Sequence, residues 1–168
     1  MKNVGIVGIG DMGSGLAKNL IKNGFSVIGL DLLEHRKLAF EAMGGQLARD
    51  YAEIGRASDA VFVMVMNGTE AKEIILGENG LVASMEKGGA ILLTATIKPT
   101  EAREIGAAMA GSGIDLIGSP VSGGFPGAQG GSLTLMAAAP ADILAKNRRV
   151  MEAISKTIHH VGSDAGMG

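Results

Sequence analysis

Three glycines near the amino terminus have the spacing of a dinucleotide-binding turn. Gly8, Gly10 and Gly13 form the pattern G-x-G-x-x-G between the apolar run 3–7 and an amphipathic stretch that begins at Met12. In this motif the first glycine permits a tight turn, the second lets the backbone approach a pyrophosphate, and the third lets a helix pack closely against a strand. The amino terminus of that helix offers free N–H groups and a partial positive charge. This strand–turn–helix context predicts a site for a dinucleotide cofactor.

An acid that follows the glycines, Asp31, indicates which dinucleotide is expected. It stands after the apolar segment 26–30, about 20 residues beyond the glycines, where a carboxylate can accept hydrogen bonds from both hydroxyls of an adenine ribose. A 2′-phosphate about 4 Å away would be repelled by roughly 4 kcal/mol at an effective dielectric of 20, so NAD is favoured over NADP. Arg36 and Lys37 could reach such a phosphate, but we interpret them as solvated charges on an exposed face. The structural alternative for Asp31 is an acid that only ends a strand.

The elements that must position these residues alternate along the whole chain. Short apolar segments are followed by longer amphipathic ones, which predicts a Rossmann-type α/β fold, a doubly wound and mostly parallel sheet with helices on both faces, as one domain over 1–168. Strands are predicted at 3–7, 26–30, 46–48, 60–66, 90–93, 115–117, 133–138 and 158–161. Helices are predicted at 12–23, 34–43, 54–57, 69–75, 81–85, 99–110 and 141–155.

Composition and charge narrow the classes of partner. The chain of 168 residues is 46% hydrophobic, enough for one domain to bury about 70% of its unfolded surface. A net charge of −2 gives no electrostatic reason to expect nucleic acid or an anionic membrane. The absence of Cys and the presence of 3 His give no reason to expect a disulfide or a metal site. We expect a cytoplasmic protein, because no leader-like segment and no apolar run of about 18 residues is present.

Several sequence blocks, taken in order, resemble the β-hydroxyacid dehydrogenase family, which includes 3-hydroxyisobutyrate dehydrogenase and tartronate semialdehyde reductase. The segment 8–20 reads GIGDMGSGLAKNL, and its Met12 and Asn19-Leu20 are more specific than the three glycines. The later blocks are 63–67, TATIKP at 94–99, PVSGG at 120–124, GAQGGSLT at 127–134, and HVG at 160–162 with Gly166 and Gly168. The resemblance covers nearly the whole chain and implies a cofactor domain of the kind found in 6-phosphogluconate dehydrogenase.

The resemblance implies an oxidoreductase that transfers a hydride between NAD(H) and a small β-hydroxy acid or its semialdehyde. The implied cofactor contacts are Gly8, Ile9, Gly10, Asp11, Met12, Gly13, Asp31, Val65, Met66, Asn67 and Thr96. The implied substrate contacts are Ser122, Gly123, Gly124 and Thr96, a set with hydroxyls and backbone N–H groups that suits a small carboxylate. Relatives usually have Leu-Pro where Val65 and Met66 stand, so a contact at Met66 is expected through its backbone.

The Lys that moves the proton in this family has no counterpart within these residues. The family places it on the long helix after the G-x-G turn, a few residues beyond Gly168. The resemblance therefore implies the cofactor domain of a longer, homo-oligomeric enzyme, without its all-helical carboxyl-terminal domain and inactive alone. A non-catalytic NAD-sensing or partner-binding domain is the alternative function. A methyltransferase with a related glycine turn is a third and weaker one.

Overall fold

The computed structural model describes residues 3–65, 67–94 and 97–163, with the backbone alone for Asp11 and Phe125. Its strands are β1 Asn3–Val7, β2 Ser26–Leu30, β3 Gln46–Leu47, β4 Ala60–Val63, β5 Ala90–Leu93, β6 Asp115–Gly118, β7 Val121–Ser122, β8 Leu133–Ala138 and β9 Ser155–Gly162. Its helices are α1 Asp11–Lys22, α2 Glu34–Ala42, α3 Tyr51–Ala57, α4 Gly68–Leu76, α5 Leu81–Ser84, α6 Pro99–Met109, α7 Gly124–Gly130, α8 Ala141–Lys146 and α9 Arg148–Ile154. The predicted Rossmann-type α/β fold is confirmed.

The strands of the described residues form one mixed sheet in which the strand order reverses at β1. β1 pairs in parallel with β2 on one side and with β4 on the other, and the order β3-β2-β1-β4-β5-β6 is parallel throughout. β8 runs antiparallel to β6 and β7, and β9 pairs in parallel with β8. Ligands of doubly wound sheets bind beyond the carboxyl ends of the strands at the point of reversal. The glycines that follow β1 stand at that point.

Two apolar layers, one on each face of the sheet, hold the helices in place. β4 shows the arrangement, because all of its residues are buried. Phe62 packs with Leu16 of α1 in one cluster, whereas Val61 packs with Ile105 of α6 in the other. A strand that is apolar on both faces is typical of the centre of a parallel sheet. Burial on both sides gives the carboxyl ends of β1 and β4 a rigid foundation.

The observed elements differ from the predicted ones at the end of β4, within the predicted helix 141–155, at the start of β9, and in β7 and α7, and elsewhere the ends agree within three residues. β4 ends at Val63 instead of reaching residue 66. The predicted helix 141–155 divides at the fully buried Asn147, whose Nδ2 donates to the carbonyl of Ile143 at 2.9 Å. Such a local bond between an Asn side chain and the backbone competes with helix continuation. β9 begins at Ser155, three residues before the prediction, and β7 and α7 were not predicted at all.

Candidate cofactor and substrate site

The turn between β1 and α1 requires glycine at two positions. Gly8 has a φ of +92°, and a Cβ atom there would lie 2.3 Å from the carbonyl oxygen of Met64. Gly13 lies in the first turn of α1, where a Cβ atom would lie 1.9 Å from the carbonyl oxygen of Gly8. The helix therefore starts directly on the turn. This close approach aims the first N–H groups of α1 at the space above the turn, where a pyrophosphate would be bound.

Asp31 connects this turn to the end of β2. Its carboxylate is buried, and its Oδ2 accepts a hydrogen bond from the backbone N–H of Ile9 at 3.0 Å. Its Oδ1 accepts from the N–H of Leu33 at 3.0 Å. An ionised carboxylate can accept about four hydrogen bonds, so capacity remains for ribose hydroxyls. The structure thus gives Asp31 a bracing role that neither sequence interpretation contained, in addition to the proposed contact with a ribose.

Arg36 lies against the same turn, which corrects the interpretation of this residue as a solvated surface charge. Its Nη1 is 3.5 Å from Oδ2 of Asp31, and its side chain is only 41% exposed. A Cβ atom on Gly10 would lie 3.2 Å from the guanidinium carbon of Arg36. The guanidinium therefore covers Gly10, the second glycine of the motif, and places a cation beside Asp31.

A cleft of about 440 Å³ opens beside the turn and runs from the end of β2 to α4. Its floor is apolar and includes Val65 and Ile74. Leu32 and Leu33, which are 88% and 44% exposed, also line it. Pockets for small molecules are mostly apolar, with a few polar groups that orient the ligand. Such a lining would suit an adenine base next to Asp31.

Three further polar residues of the cleft, Tyr51, Glu70 and Glu73, were not identified from the sequence. They belong to α3 and α4, outside the glycine motif and the strand ends. Burial raises the pKa of the Tyr51 hydroxyl, and the negative charges of Glu73, Glu70 and Asp31 raise it further. These three carboxylates therefore place negative charge around the Tyr51 hydroxyl.

The raised pKa of Tyr51 predicts a specific loss of stability at high pH. The folded state holds the phenolic proton more tightly than the unfolded state, whose pKa is about 10. The free energy of unfolding should therefore fall as the pH rises above about 10. Tyr51→Phe should remove this part of the decline. Urea unfolding between pH 8 and 11 measures the free energy of unfolding of the parent chain and of Tyr51→Phe. The difference between the two chains isolates the effect of Tyr51, because the lysines titrate in both. Parallel stability curves would contradict the prediction.

The other residues that the resemblance implies as cofactor or substrate contacts, where the structure describes them, follow strand ends or lie in the glycine turn or between β7 and α7. Val65 lines the cleft, and Asn67 caps α4, because its Oδ1 accepts from the N–H of Glu70 at 2.8 Å. Met66 and Thr96, like Gly166 and Gly168, lie outside the described residues. Ile9 is buried and its N–H is bound by Asp31, while the side chain of Met12 packs against the core. The side chain of Asp11 is also outside the description.

The residues at 122–124, which are predicted to contact the substrate, connect a short strand to a helix. Ser122 ends the short strand β7, where it pairs with Thr134 of β8. Gly123 precedes α7, which begins at Gly124, and all three residues of the proposed turn are exposed. The Ser122 turn, as we call 122–124, is therefore an exposed junction between a strand and a helix. Such a junction presents a hydroxyl together with backbone N–H groups, the donors that a small carboxylate needs.

These features define a class of protein: a doubly wound α/β domain that holds a dinucleotide at the reversal point of its sheet. The chain belongs to the family described as the NAD binding domain of 6-phosphogluconate dehydrogenase, whose family model matches residues 3–162. The resemblance to β-hydroxyacid dehydrogenases is confirmed by the relatives. NAD is accordingly the cofactor of this domain.

Relatives match nearly the whole of this chain but are much longer. L-threonate dehydrogenase of Cupriavidus necator is 32% identical over 167 residues, which are 99% of this chain and 56% of the relative. The NAD-dependent L-serine dehydrogenase of Pseudomonas aeruginosa is 35% identical over 164 residues, 98% of this chain and 55% of that one. The crystal structure of 3-hydroxyisobutyrate dehydrogenase from Salmonella typhimurium has a TM-score of 0.93 at 28% identity, and the match covers 100% of this chain and 59% of that chain. The chain therefore spans little more than half the length of these relatives.

Two features are absent from the residues that the structure describes. Within 3–65, 67–94 and 97–163, no helix has the length and apolar character required to cross a membrane. The same residues contain no group of three or more His, Asp or Glu side chains arranged to hold a metal ion.

Proposed function

We propose that this domain serves an NAD-dependent oxidoreductase that interconverts a small β-hydroxy acid and its semialdehyde. The observation that supports the proposal best is the packing of α1 against α7, with the closest approach between Gly15 and Ala128. One helix follows the turn for the cofactor, and the other follows the Ser122 turn. The two ligand turns therefore belong to one packed unit. The relatives described above are named for L-threonate, L-serine and 3-hydroxyisobutyrate, which are small hydroxy acids.

The described residues supply binding and orientation for this reaction. The turn at Gly8 and the first N–H groups of α1 would hold the pyrophosphate, and Asp31 would hold the adenine ribose. The hydroxyl of Ser122 and the N–H groups of Gly123 and Gly124 would hold the substrate carboxylate. The nicotinamide supplies the hydride chemistry. Transfer of the hydroxyl proton needs a general acid or base. We assign this role to the family's Lys, on the long helix that the resemblance places after the G-x-G turn. A further helical domain and a homo-oligomeric assembly belong to the same proposal.

The charges of the cleft favour NAD over NADP. Burial raises the pKa of Tyr51, and the negative charges of Glu73, Glu70 and Asp31 raise it further. A 2′-phosphate would add two negative charges to this region, whereas a ribose hydroxyl adds none. Arg36, whose Nη1 lies 3.5 Å from Oδ2 of Asp31, offsets part of the repulsion. We propose that binding of NADP is weaker than that of NAD and depends on Arg36.

Arg36→Gln should lower the affinity for NADP about 5-fold, which is the contribution of a charge-assisted hydrogen bond reduced for its partial exposure. The affinity for NAD should change less than about 2-fold, because Asp31 retains its bonds to Ile9 and Leu33. Isothermal titration calorimetry measures both affinities. Arg49→Gln is the matched control, because the side chain of Arg49 is 86% exposed, pairs with Glu53 and does not line the cleft. An unchanged affinity for NADP in Arg36→Gln would contradict the prediction.

Saturation-transfer NMR of the 168-residue chain tests the proposed reaction class. With NADH present, at least one of L-threonate, L-serine and 3-hydroxyisobutyrate should receive saturation from the protein. Ser122→Ala should weaken binding of that acid about 10-fold, the effect of one hydrogen bond to a charged group. Binding of NADH without binding of any acid would favour the NAD-sensing domain. Oxidation by the isolated chain at ordinary enzyme rates would overturn the assignment of the proton transfer to another domain.

A further inference from the structure

One side chain of α1, that of Asn19, holds the carboxyl-terminal end of α7. Asn19 is 7% exposed, and its Nδ2 lies 2.8 Å from the carbonyl oxygen of Ala128 and 2.9 Å from that of Gln129. A third carbonyl, that of Gly15 in α1 itself, is 2.9 Å away. The last carbonyls of a helix have no partner within the helix. Asn19 therefore adds a donor to the last carbonyls of α7, of which that of Ala128 also accepts from the N–H of Gly131 at 3.4 Å.

The backbones of α1 and α7 also approach each other closely at this point. A Cβ atom on Gly15 would lie 2.6 Å from the carbonyl carbon of Ala128. Real Cβ atoms do not approach other atoms so closely, so the absence of a side chain at Gly15 permits the contact. Next to it, Nε2 of Gln129 is 3.4 Å from Oγ of Ser14. Ser14 and Gly15 directly follow the glycine turn along α1, which places α7 beside the cofactor end of the helix.

α7 has little stability of its own. It has seven residues, GFPGAQG, and three of them are glycines. Each glycine disfavours a helix by about 1 kcal/mol relative to alanine, and isolated helices shorter than about 12 residues are marginal in water. The helix therefore depends on contacts with the rest of the domain. The Ser122 turn comes directly before α7, so the contacts that order α7 also determine where this turn lies.

We propose that Asn19 is a positioning residue that couples the cofactor turn to the Ser122 turn. Binding of NADH orders the amino terminus of α1, and the amide of Asn19 transmits this order to α7. This positioning role needs a hydrogen-bond donor at residue 19, because the three groups that contact Nδ2 are carbonyl oxygens. The assignment of the Ser122 turn to substrate binding rests on the proposed function, whereas the coupling between the two turns does not.

Site-resolved hydrogen exchange of the 168-residue chain, with and without NADH, tests the proposal. In the parent chain NADH should slow exchange at the amides of Gly13 and Ser14 and also at those of Gly131 and Ser132, which bond to carbonyls of α7. In Asn19→Ala the amides after α7 should exchange about 10-fold faster, as expected for lost hydrogen bonds to buried carbonyls. Their response to NADH should disappear, while that of Gly13 and Ser14 should persist.

Two further variants make the test specific. Asn23→Ala is the matched control, because the side-chain amide of Asn23 donates to the carbonyl of Asn19 at 2.7 Å, a contact with α1 itself instead of α7. It should leave the coupled response unchanged. Asn19→Ser keeps one donor and should give an intermediate response, and it replaces Asn19→Ala if that chain does not fold. Alanine favours the helix more than asparagine, so a faster exchange in Asn19→Ala cannot come from weakening of α1.

Three results would overturn the coupling. The amides after α7 could still respond to NADH in Asn19→Ala, exchange could accelerate equally over the whole chain, or Asn23→Ala could have the same effect. Failure of the proposed function gives a different result. The coupled response to NADH would then be present, while no hydroxy acid receives saturation in the NMR experiment.

Discussion

Gly13→Ala is expected to lower the affinity of the chain for NADH at least about 100-fold, or about 2.7 kcal/mol. The added Cβ atom would lie 1.9 Å from the carbonyl oxygen of Gly8, well inside the separation of about 3.5 Å at which heavy atoms are in favourable contact. Alanine would favour the helix by about 1 kcal/mol. The clash is the larger effect, because its relief must move α1 away from the turn. The N–H groups that would bind the pyrophosphate move with the helix.

Calorimetry with NADH, combined with urea unfolding, checks this prediction. Gly106→Ala is the matched control, because Gly106 also lies in a helix and its added Cβ atom would lie 3.6 Å from Leu116, an ordinary contact. The control should keep its affinity for NADH and become more stable by about 0.5 to 1 kcal/mol. An affinity for NADH within 3-fold of the parent in a folded Gly13→Ala chain, where about 100-fold is expected, would show that the turn adapts.

Asp31→Asn is expected to have the second largest effect, a loss of about 10-fold to 100-fold in affinity for NAD. The substitution keeps the shape of the side chain but removes its charge, and hydrogen bonds to charged groups contribute about 1.5 to 3 kcal/mol. It weakens the bond from the N–H of Ile9 and the proposed bonds from the ribose together. The repulsion of a 2′-phosphate by residue 31 also falls. The ratio of the affinity for NAD to that for NADP should therefore decrease by a larger factor than the affinity for NAD itself.

Parallel titrations of NAD and NADP against the parent chain and Asp31→Asn measure this change. Asp50→Asn is the control, because Asp50 caps α3 through the N–H of Glu53 at 2.8 Å and does not line the cleft. Asn is also a good cap, so this variant should bind both cofactors as the parent does. An Asp31→Asn chain that prefers NAD as strongly as the parent would contradict the assigned role of the acid.

Local sequence patterns were sufficient for the sheet and for the position of the cofactor turn. Gly8 and Gly13 have few alternatives in a tight strand–turn–helix, and β4 is apolar on both faces because helices cover both. In both cases the sequence pattern that carries the prediction lies within a few residues along the chain. The roles assigned to Ser122 and its neighbours stay predictions, as do those of Met66 and Thr96.

The remaining features depend on contacts between residues that are distant in the sequence. Arg36 was interpreted as a solvated charge because nothing local shows that its guanidinium covers Gly10. Tyr51, Glu70 and Glu73 share a cleft with Asp31 only because α3 and α4 pack beside the same sheet edge. A local pattern contains no information on such neighbours.

The amino-acid sequence alone was enough to predict a doubly wound domain and its glycine turn, because hydrophobic periodicity and glycine spacing act over short distances. It did not predict α7, since glycine and proline in GFPGAQG oppose a helix. In the tertiary structure α7 is contacted by Asn19, which lies 109 residues from Ala128 in the sequence, with its Nδ2 2.8 Å from the carbonyl oxygen of Ala128. Contacts across such a separation can outweigh local propensity, and no local pattern contains them.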